Sequence, residues 1–176
     1  MYRKFINKVK NHKKIKDKLL NLIDKSPSGK INSFFEKTEK SDFDIKMKDK
    51  TYVNEVVSNI APIMNNLARK LNAKHWEIHH MWCQSYLKGH YHKWHTHPMS
   101  HFAHIYYLDL PEKNMITEFK DEKGVKAKEG DIITFPAFLF HRSKPNTSKK
   151  RKTVISFNSS IFWYHKYPDW LRGEKK

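Results

Sequence analysis

No helical periodicity interrupts the chain between residues 75 and 163, and this constrains the fold more than any other feature. Trp76, Ile78, His80, Trp82, Gln84 and Tyr86 recur at every second position, the period of a strand with two different faces. Runs at 90–97, 102–110, 114–119, 131–135, 138–142 and 152–163 also read as strands. Breaks fall at Lys88-Gly89, Pro111-Glu112, Lys123-Gly124, Glu129-Gly130 and Pro145-Asn146. Parallel strands need long crossovers, usually helices. Short strands separated only by turns therefore predict an antiparallel sandwich or barrel.

Helical signals lie ahead of this region. Ile15, Leu19, Leu20 and Ile23 have helical spacing, and Ser26-Pro27 ends the pattern. We expect residues 1–50 to form a basic, helical N-terminal extension packed on the outside of the domain. Val53, Val57, Ile60, Met64, Leu67 and Leu71 mark a second helix over residues 51–72, which Pro62 should kink or restart. Its apolar stripe needs a sheet to cover, so both helices are expected on one outer face of the barrel. No internal repeat or second domain is visible; residues 1–176 read as one domain with a β core over 75–165.

A chain of 176 residues, 14% of them aromatic, can build one real core. The single cysteine, Cys83, rules out an intramolecular disulfide and a multi-cysteine zinc site, and fits a reducing cytoplasm. No apolar run of about 18 residues is available to span a membrane, and no apolar leader segment follows the basic N-terminus. The net charge of +17 invites a nucleic-acid partner. However, the lysines are scattered or concentrated in the first 50 residues, and do not alternate with aromatics along one strand. Frequent Lys, Asn and Ile is also what an AT-rich genome encodes. Nucleic acid is therefore the less favoured partner, and the charge tilts the expected substrate towards an acidic or polymeric one.

Six of the twelve histidines fall between Gly89 and His104, with His95-Thr96-His97 at the centre. Two histidines one residue apart on a strand point the same way and can fill two positions around one metal ion. Gly89, five residues, His95, one residue, His97 is a cupin-like spacing. Gly130, five residues, Pro136, then His141 is its second half. Gly130-Asp131 turns the chain into a strand, and Pro136 limits pairing so that the strand can bend. His141 would then face His95 and His97 across the barrel, with the remaining coordination positions open. His90, His92, His101 and His104 read as surface or supporting residues.

His95-Thr96-His97-Pro98, Ile105-Tyr106-Tyr107-Leu108, Gly130 to Pro136 and Arg151 to Asn158 together resemble the 2-oxoglutarate- and Fe(II)-dependent dioxygenases. The resemblance spans about residues 75 to 163 and is nearest to the small prolyl-hydroxylase-like oxygenases of phage and marine bacterial genomes. It implies a mainly β fold, a double-stranded β-helix or cupin-like jelly roll with the metal in its mouth. It implies Fe(II), 2-oxoglutarate and O2 as cofactor and co-substrates, with hydroxylation of a C–H bond and release of succinate and CO2. His95 matches the first iron ligand and His141 the last. Arg151 matches the basic residue that grips the distal carboxylate of 2-oxoglutarate, which a planar guanidinium suits. Thr153, on the same strand face as Arg151, and Tyr107 are expected to donate hydroxyls to that carboxylate, and Tyr86 to line the same pocket.

The chain departs from the common His-x-Asp or His-x-Glu pattern by having His97, the third metal ligand expected here. A neutral ligand in place of a carboxylate leaves the metal more positive and favours anionic ligands. It also resembles the three-histidine sites of cupin-type dioxygenases that use no 2-oxoglutarate, and an outward-facing Arg151 would favour that reading. His101 stands as a fallback ligand, and Asp109 is placed too far along the next strand. A non-catalytic jelly-roll binding module is the third reading. Trp82, Trp94, His90 and Phe138 are expected to line the substrate entrance. The substrate itself is not named by the sequence, although a peptide residue such as proline is favoured by the resemblance.

Overall fold

The computed structural model describes residues 3–29, 34–113, 115–120 and 123–163. Residues 164–165 at the expected end of the core, and residue 114 at the start of an expected strand, lie outside them. Ten strands form two antiparallel sheets. The larger contains β1 (Phe5–Lys8), β8 (Asp131–Pro136), β6 (Phe102–Asp109), β10 (Lys152–Phe162), β4 (His75–Tyr86) and β3 (Lys40–Ser41), in that spatial order. The smaller contains β2 (Glu36–Lys37), β5 (Tyr91–His95), β9 (His141–Ser143) and β7 (Glu118–Phe119). The antiparallel sandwich expected from the alternating pattern is therefore present.

Helices α1 (His12–Lys25) and α2 (Val53–Lys70) cover the outer face of the larger sheet. Ile15, Leu19 and Ile23 of α1, and Val53, Val56, Ile60, Met64 and Leu67 of α2, are buried there at helical spacing. They meet Met81 and Cys83 of β4, Tyr106 and Leu108 of β6, and Ile155 and Phe157 of β10. A second apolar cluster lies between the sheets and includes Tyr86, Tyr107, Phe119, Ile133, Phe135 and Val154. Each central strand thus feeds one core with its odd positions and the other with its even positions.

Two expectations need correction. Pro62 does not start a second helix: α2 runs as one element through it. Pro62 and Ser58 are both exposed, so the carbonyl four residues before the proline can be hydrated instead of bonded. The first 50 residues are more than a helical extension: β1 pairs with β8, and β2 and β3 extend the two sheets. Those short, basic segments carry little strand propensity and become strands by docking on exposed sheet edges. No described helix is long and apolar enough to cross a membrane.

Gly130 shows why the turn before β8 needs glycine. Its φ is +87°, and an added Cβ would lie 2.9 Å from the His12 ring. His12 is buried there, bonded to the Tyr106 hydroxyl at 2.8 Å and to Glu129 at 3.3 Å. This ties α1 to the β6–β8 turn.

His104 is the other polar anchor. It stacks on Phe157 at 4.3 Å and bonds Thr134 Oγ1 at 2.8 Å and Ser159 Oγ at 2.7 Å. Burial lowers its pKa to about 3 from an ordinary 6.5. The folded protein keeps this ring neutral while the unfolded chain takes up a proton below about pH 6.5. Its contribution to stability is therefore complete above pH 6.5 and lost as the pH falls towards 3. Urea unfolding at pH 7 and pH 5 should show acid destabilisation about 2 kcal/mol smaller in His104→Gln than in the parent chain. An equal loss in both would show that His104 titrates normally.

Candidate metal centre

His95 and His141 are cross-strand partners in the β5–β9 pair, so their side chains start on the same face of the smaller sheet. His97 lies two residues beyond β5. Its backbone N–H donates to the Ala137 carbonyl at 2.9 Å, pinning this loop to the β8–β9 turn. One ring nitrogen from each of His95, His97 and His141 lies within 4.8 Å of the others. The strand expected over 90–97 ends at His95, so the loop bond to Ala137, not strand period, brings His97 to the cluster; the β5–β9 register puts His141 opposite His95.

The tautomers follow from the partners. His141 Nδ1 lies 2.9 Å from the Leu139 carbonyl, and His95 Nδ1 lies 2.8 Å from the Lys93 carbonyl. A carbonyl only accepts, so both Nδ1 atoms carry the proton and both Nε2 atoms present lone pairs. His97 Nε2 is 3.2 Å from His141 Nε2. Two nitrogens bound at right angles to one metal, each about 2.1 Å away, lie about 3 Å apart. Asn158 supplies a further test of fit. Its Oδ1 is buried without a partner among the described residues, while its Nδ2 is placed 3.3 Å from His97 Nδ1. Turning the amide over pairs Oδ1 with an Nδ1–H and frees His97 Nε2 to ligate. The donor set therefore fits a divalent transition metal.

Burial keeps these rings in the form a metal needs. It lowers His97 to about 3 and His141 well below the usual histidine range, with the neighbouring rings adding to the shift. His95 is lowered mainly by burial. His92 stacks on His95 with ring centres 3.8 Å apart and lies 3.2 Å from the Gln84 side-chain nitrogen. Gln84 Nε2 in turn donates to Glu36. His92, Gln84, Glu36 and Asn158 thus hold the ligands from behind; the sequence had suggested a surface or supporting place for His92 but gave no sign of the other three.

The cluster stands between two spaces. A narrow inner chamber, with a cavity volume of about 20 Å³, is lined by Tyr86, Thr117, Arg142, Ser143, Lys152, Val154 and Ser156, among others. An outer groove of about 610 Å³, open to solvent, is lined by Phe35, Phe43, Asp44 and Thr96, among others. Trp82, Gln84, His92, His95 and His97 line both.

The structure does not bring Arg151 to the cluster. Its guanidinium leaves the opposite face of the sheet and pairs with Asp24 of α1 at 2.9 and 3.3 Å. Thr153 shares that face and lies 3.2 Å from Ser85 Oγ, away from the chamber. The two do share a face, as expected, but it is the helix-covered one, together with Ile155 and Phe157. A shift of one residue along a strand reverses the face, and the inward cation is the adjacent Lys152. Lys152 is 3% exposed, its ammonium donates to Ser143 Oγ at 2.9 Å, and it lies 5.2 Å from the centre of the Tyr86 ring. Burial lowers its pKa to about 7. No carboxylate pairs with it among the described residues.

Tyr86 lines the chamber as expected. Tyr107 is one layer behind. Its hydroxyl donates to Thr117 Oγ1 at 3.0 Å and accepts the Thr117 N–H at 2.9 Å, so Thr117 is the group presented to the chamber. His101 is elsewhere, accepting the Ile161 N–H at 3.0 Å, and Asp109 pairs with Lys16 of α1 at 2.7 Å. Of the expected entrance residues, Trp82 lines the groove. Trp94 lies beneath the Arg142 guanidinium, and Phe138 is 57% exposed. His90 is half-buried and does not line either space.

Solved structures share this architecture. A collagen prolyl hydroxylase of Paramecium bursaria Chlorella virus-1, in complex with 2-oxoglutarate, superposes with a TM-score of 0.61 at 16% identity, covering 90% of this chain and 94% of the viral one. A 2OG-Fe(II) oxygenase family protein of Burkholderia pseudomallei gives 0.66 at 9% identity, covering 89% and 84%. A prolyl hydroxylase of Trichoplax adhaerens, bound to a hypoxia inducible factor peptide fragment, gives 0.63 at 13% identity, covering 91% and 83%. No protein-family model matches the sequence, and no curated protein does. The chain therefore has the fold of the 2-oxoglutarate/Fe(II) oxygenase superfamily, a jelly roll of the prolyl-hydroxylase-like kind.

The geometry makes a prediction about metal binding. Calorimetric titration with Fe(II) under anaerobic conditions should show one site, absent in His95→Ala and His141→Ala. Asn158→Ala should weaken it by about tenfold, because the buried support for His97 is lost. Unchanged affinity in either histidine variant would remove the assignment.

Proposed function

We propose that the protein is an Fe(II)- and 2-oxoglutarate-dependent hydroxylase, with Lys152 in the place that the sequence suggested for Arg151. The observation that carries this reading is a buried cation without a carboxylate partner, in the same chamber as three converging histidines. A buried unpaired ammonium is costly, and an anionic ligand removes that cost. The structural likeness to a prolyl hydroxylase complexed with 2-oxoglutarate supports the same co-substrate here.

In this reading His95, His97 and His141 hold the iron, and His92 and Asn158 orient them. Lys152 binds the distal carboxylate of 2-oxoglutarate, with the Ser143 hydroxyl and the Tyr86 ring beside it. Thr117, fixed by Tyr107, offers a further hydroxyl. When bound, iron and 2-oxoglutarate supply the oxidising chemistry: O2 is consumed, succinate and CO2 leave, and a substrate C–H bond becomes C–OH. The protein's own part is to keep the imidazoles neutral, anchor the diacid and limit water in the inner chamber. The substrate enters from the outer groove, and the peptide-bound Trichoplax structure supports a peptide for that position.

The outward Arg151 is the feature that would favour a three-histidine dioxygenase without 2-oxoglutarate. Lys152 answers that objection, and one spectrum separates the two readings. Fe(II) and 2-oxoglutarate added anaerobically should give a weak visible charge-transfer band that neither gives alone. Lys152→Ala should raise the 2-oxoglutarate concentration needed for the band by about 100-fold, roughly the worth of one charge-assisted contact. Lys152→Arg should restore part of it, and Arg151→Ala should leave it unchanged. Because the free lysine is protonated below about pH 7, 2-oxoglutarate affinity should fall as the pH rises through that value. Iron binding without the band would establish the three-histidine alternative.

A further inference from the structure

The outer groove has a charge opposite to that of the chain. In a protein of net charge +17, neither lysine nor arginine lines it among the described residues. Its charged groups are Glu36 and Asp44, and its apolar walls are Phe35, Phe43 and Trp82. Phe35 and Phe43 are 55% and 48% exposed, and Phe43 meets Trp82 edge to face at 5.2 Å. The Glu36 side chain is only 12% exposed, held by Gln84. Burial raises its pKa, and the negative charge of Asp44 adds to that rise. Two carboxylates that repel across an aromatic-walled groove make a receptor for a positive charge on an apolar stem. Elsewhere in the chain Lys93 shows the same chemistry, its ammonium 3.8 Å from the centre of the Phe34 ring.

We propose that this groove recognises a cationic side chain of a peptide substrate, an ammonium or guanidinium held between Glu36 and Asp44 with its methylenes against Phe43 and Trp82. The inference rests on the groove being the substrate entrance of the hydroxylase proposed above. It reverses the expectation, drawn from net charge, of an acidic or polymeric substrate. The net charge of +17 disfavours a cationic peptide over the surface as a whole, so a local acidic entrance sharpens the selection.

The test uses the full chain and three acetylated, amidated pentapeptides, each four glycines around a central lysine, norleucine or glutamate. Binding is measured by calorimetry, without metal and again anaerobically with Fe(II) and 2-oxoglutarate. The lysine peptide should bind about tenfold tighter than the norleucine peptide, with the glutamate peptide weakest. Asp44→Asn should remove several-fold of the lysine preference and leave norleucine binding unchanged. Asp44 is exposed, so this variant does not endanger folding. Equal binding of the lysine and glutamate peptides, no binding of the lysine peptide at millimolar concentration, or a preference untouched by Asp44→Asn overturns the proposal. The charge-transfer band is recorded on the same samples. Its absence with the lysine preference intact would sink the co-substrate reading alone. Its presence without that preference would sink this one alone.

Discussion

The two-faced strand β10 is the element on which the rest of the structure depends. It lies inside the larger sheet and pairs antiparallel with both β4 and β6. One face carries Ile155 and Phe157 into the core beneath the helices. The other carries Lys152, Val154 and Ser156 to the inner chamber, with Asn158 reaching His97. Stability and chemistry are thus written on alternate residues of one segment. The buried side holds the strand in register, and a slip of one residue would exchange an apolar core face for a polar one at high cost. The site inherits its precision from a core that it does not touch.

Charge explains the division of the molecule into surface, groove and chamber. Most of the positive charge is surface lysine, where water solvates it cheaply. Arg151 belongs to that population: its pairing with Asp24 is partly exposed and ties α1 to the start of β10 with little net energy. Lys152 is different because no solvent shell accompanies it and burial alone lowers its pKa. Glu36 is the converse case, a carboxylate kept from water beside the groove, with its pKa raised chiefly by burial. A basic chain therefore shows one buried cation inside the metal cluster and carboxylates outside it. That polarity is what the proposed anionic co-substrate on one side of the histidines and the proposed cationic side chain on the other would require.

Much of this was legible in the sequence, and the failures have clear physical causes. Period-two alternation from 75 to 163 revealed the antiparallel sheets, because sandwich strands must separate two environments. The histidine spacing pointed to His95, His97 and His141, which the structure brings together, although His97 arrives from a loop past the end of β5 and not from the strand face expected of it. The face of Arg151 was not local. It depended on which of two adjacent residues meets the helices, and both Arg151 and Lys152 are basic. A usable signal was present: Ile155 and Phe157 are the large apolar residues of that segment and share parity with Arg151. The largest apolar side chains should face the helix core, and that leaves Lys152 for the chamber. Strands β1, β2 and β3 had no signal of their own, because a short basic segment becomes a strand only when an edge is offered.

The third histidine and the buried lysine make one electrostatic arrangement. With a carboxylate among the ligands, a divalent ion keeps a single net positive charge; with three neutral imidazoles it keeps both. The protonated lysine adds another in the same enclosed space. Such a chamber repels cations and is satisfied by a dianion that can reach the metal at one end and the ammonium at the other. 2-Oxoglutarate has that form, whereas a monoanion would leave one pole unpaired. In the proposed hydroxylase, His97 in place of a carboxylate ligand would strengthen selection for the diacid while Lys152 stays protonated. In turn, a bound diacid holds Lys152 in its charged state. The unusual ligand and the displaced cation support each other, and the outward position of Arg151 costs the site nothing.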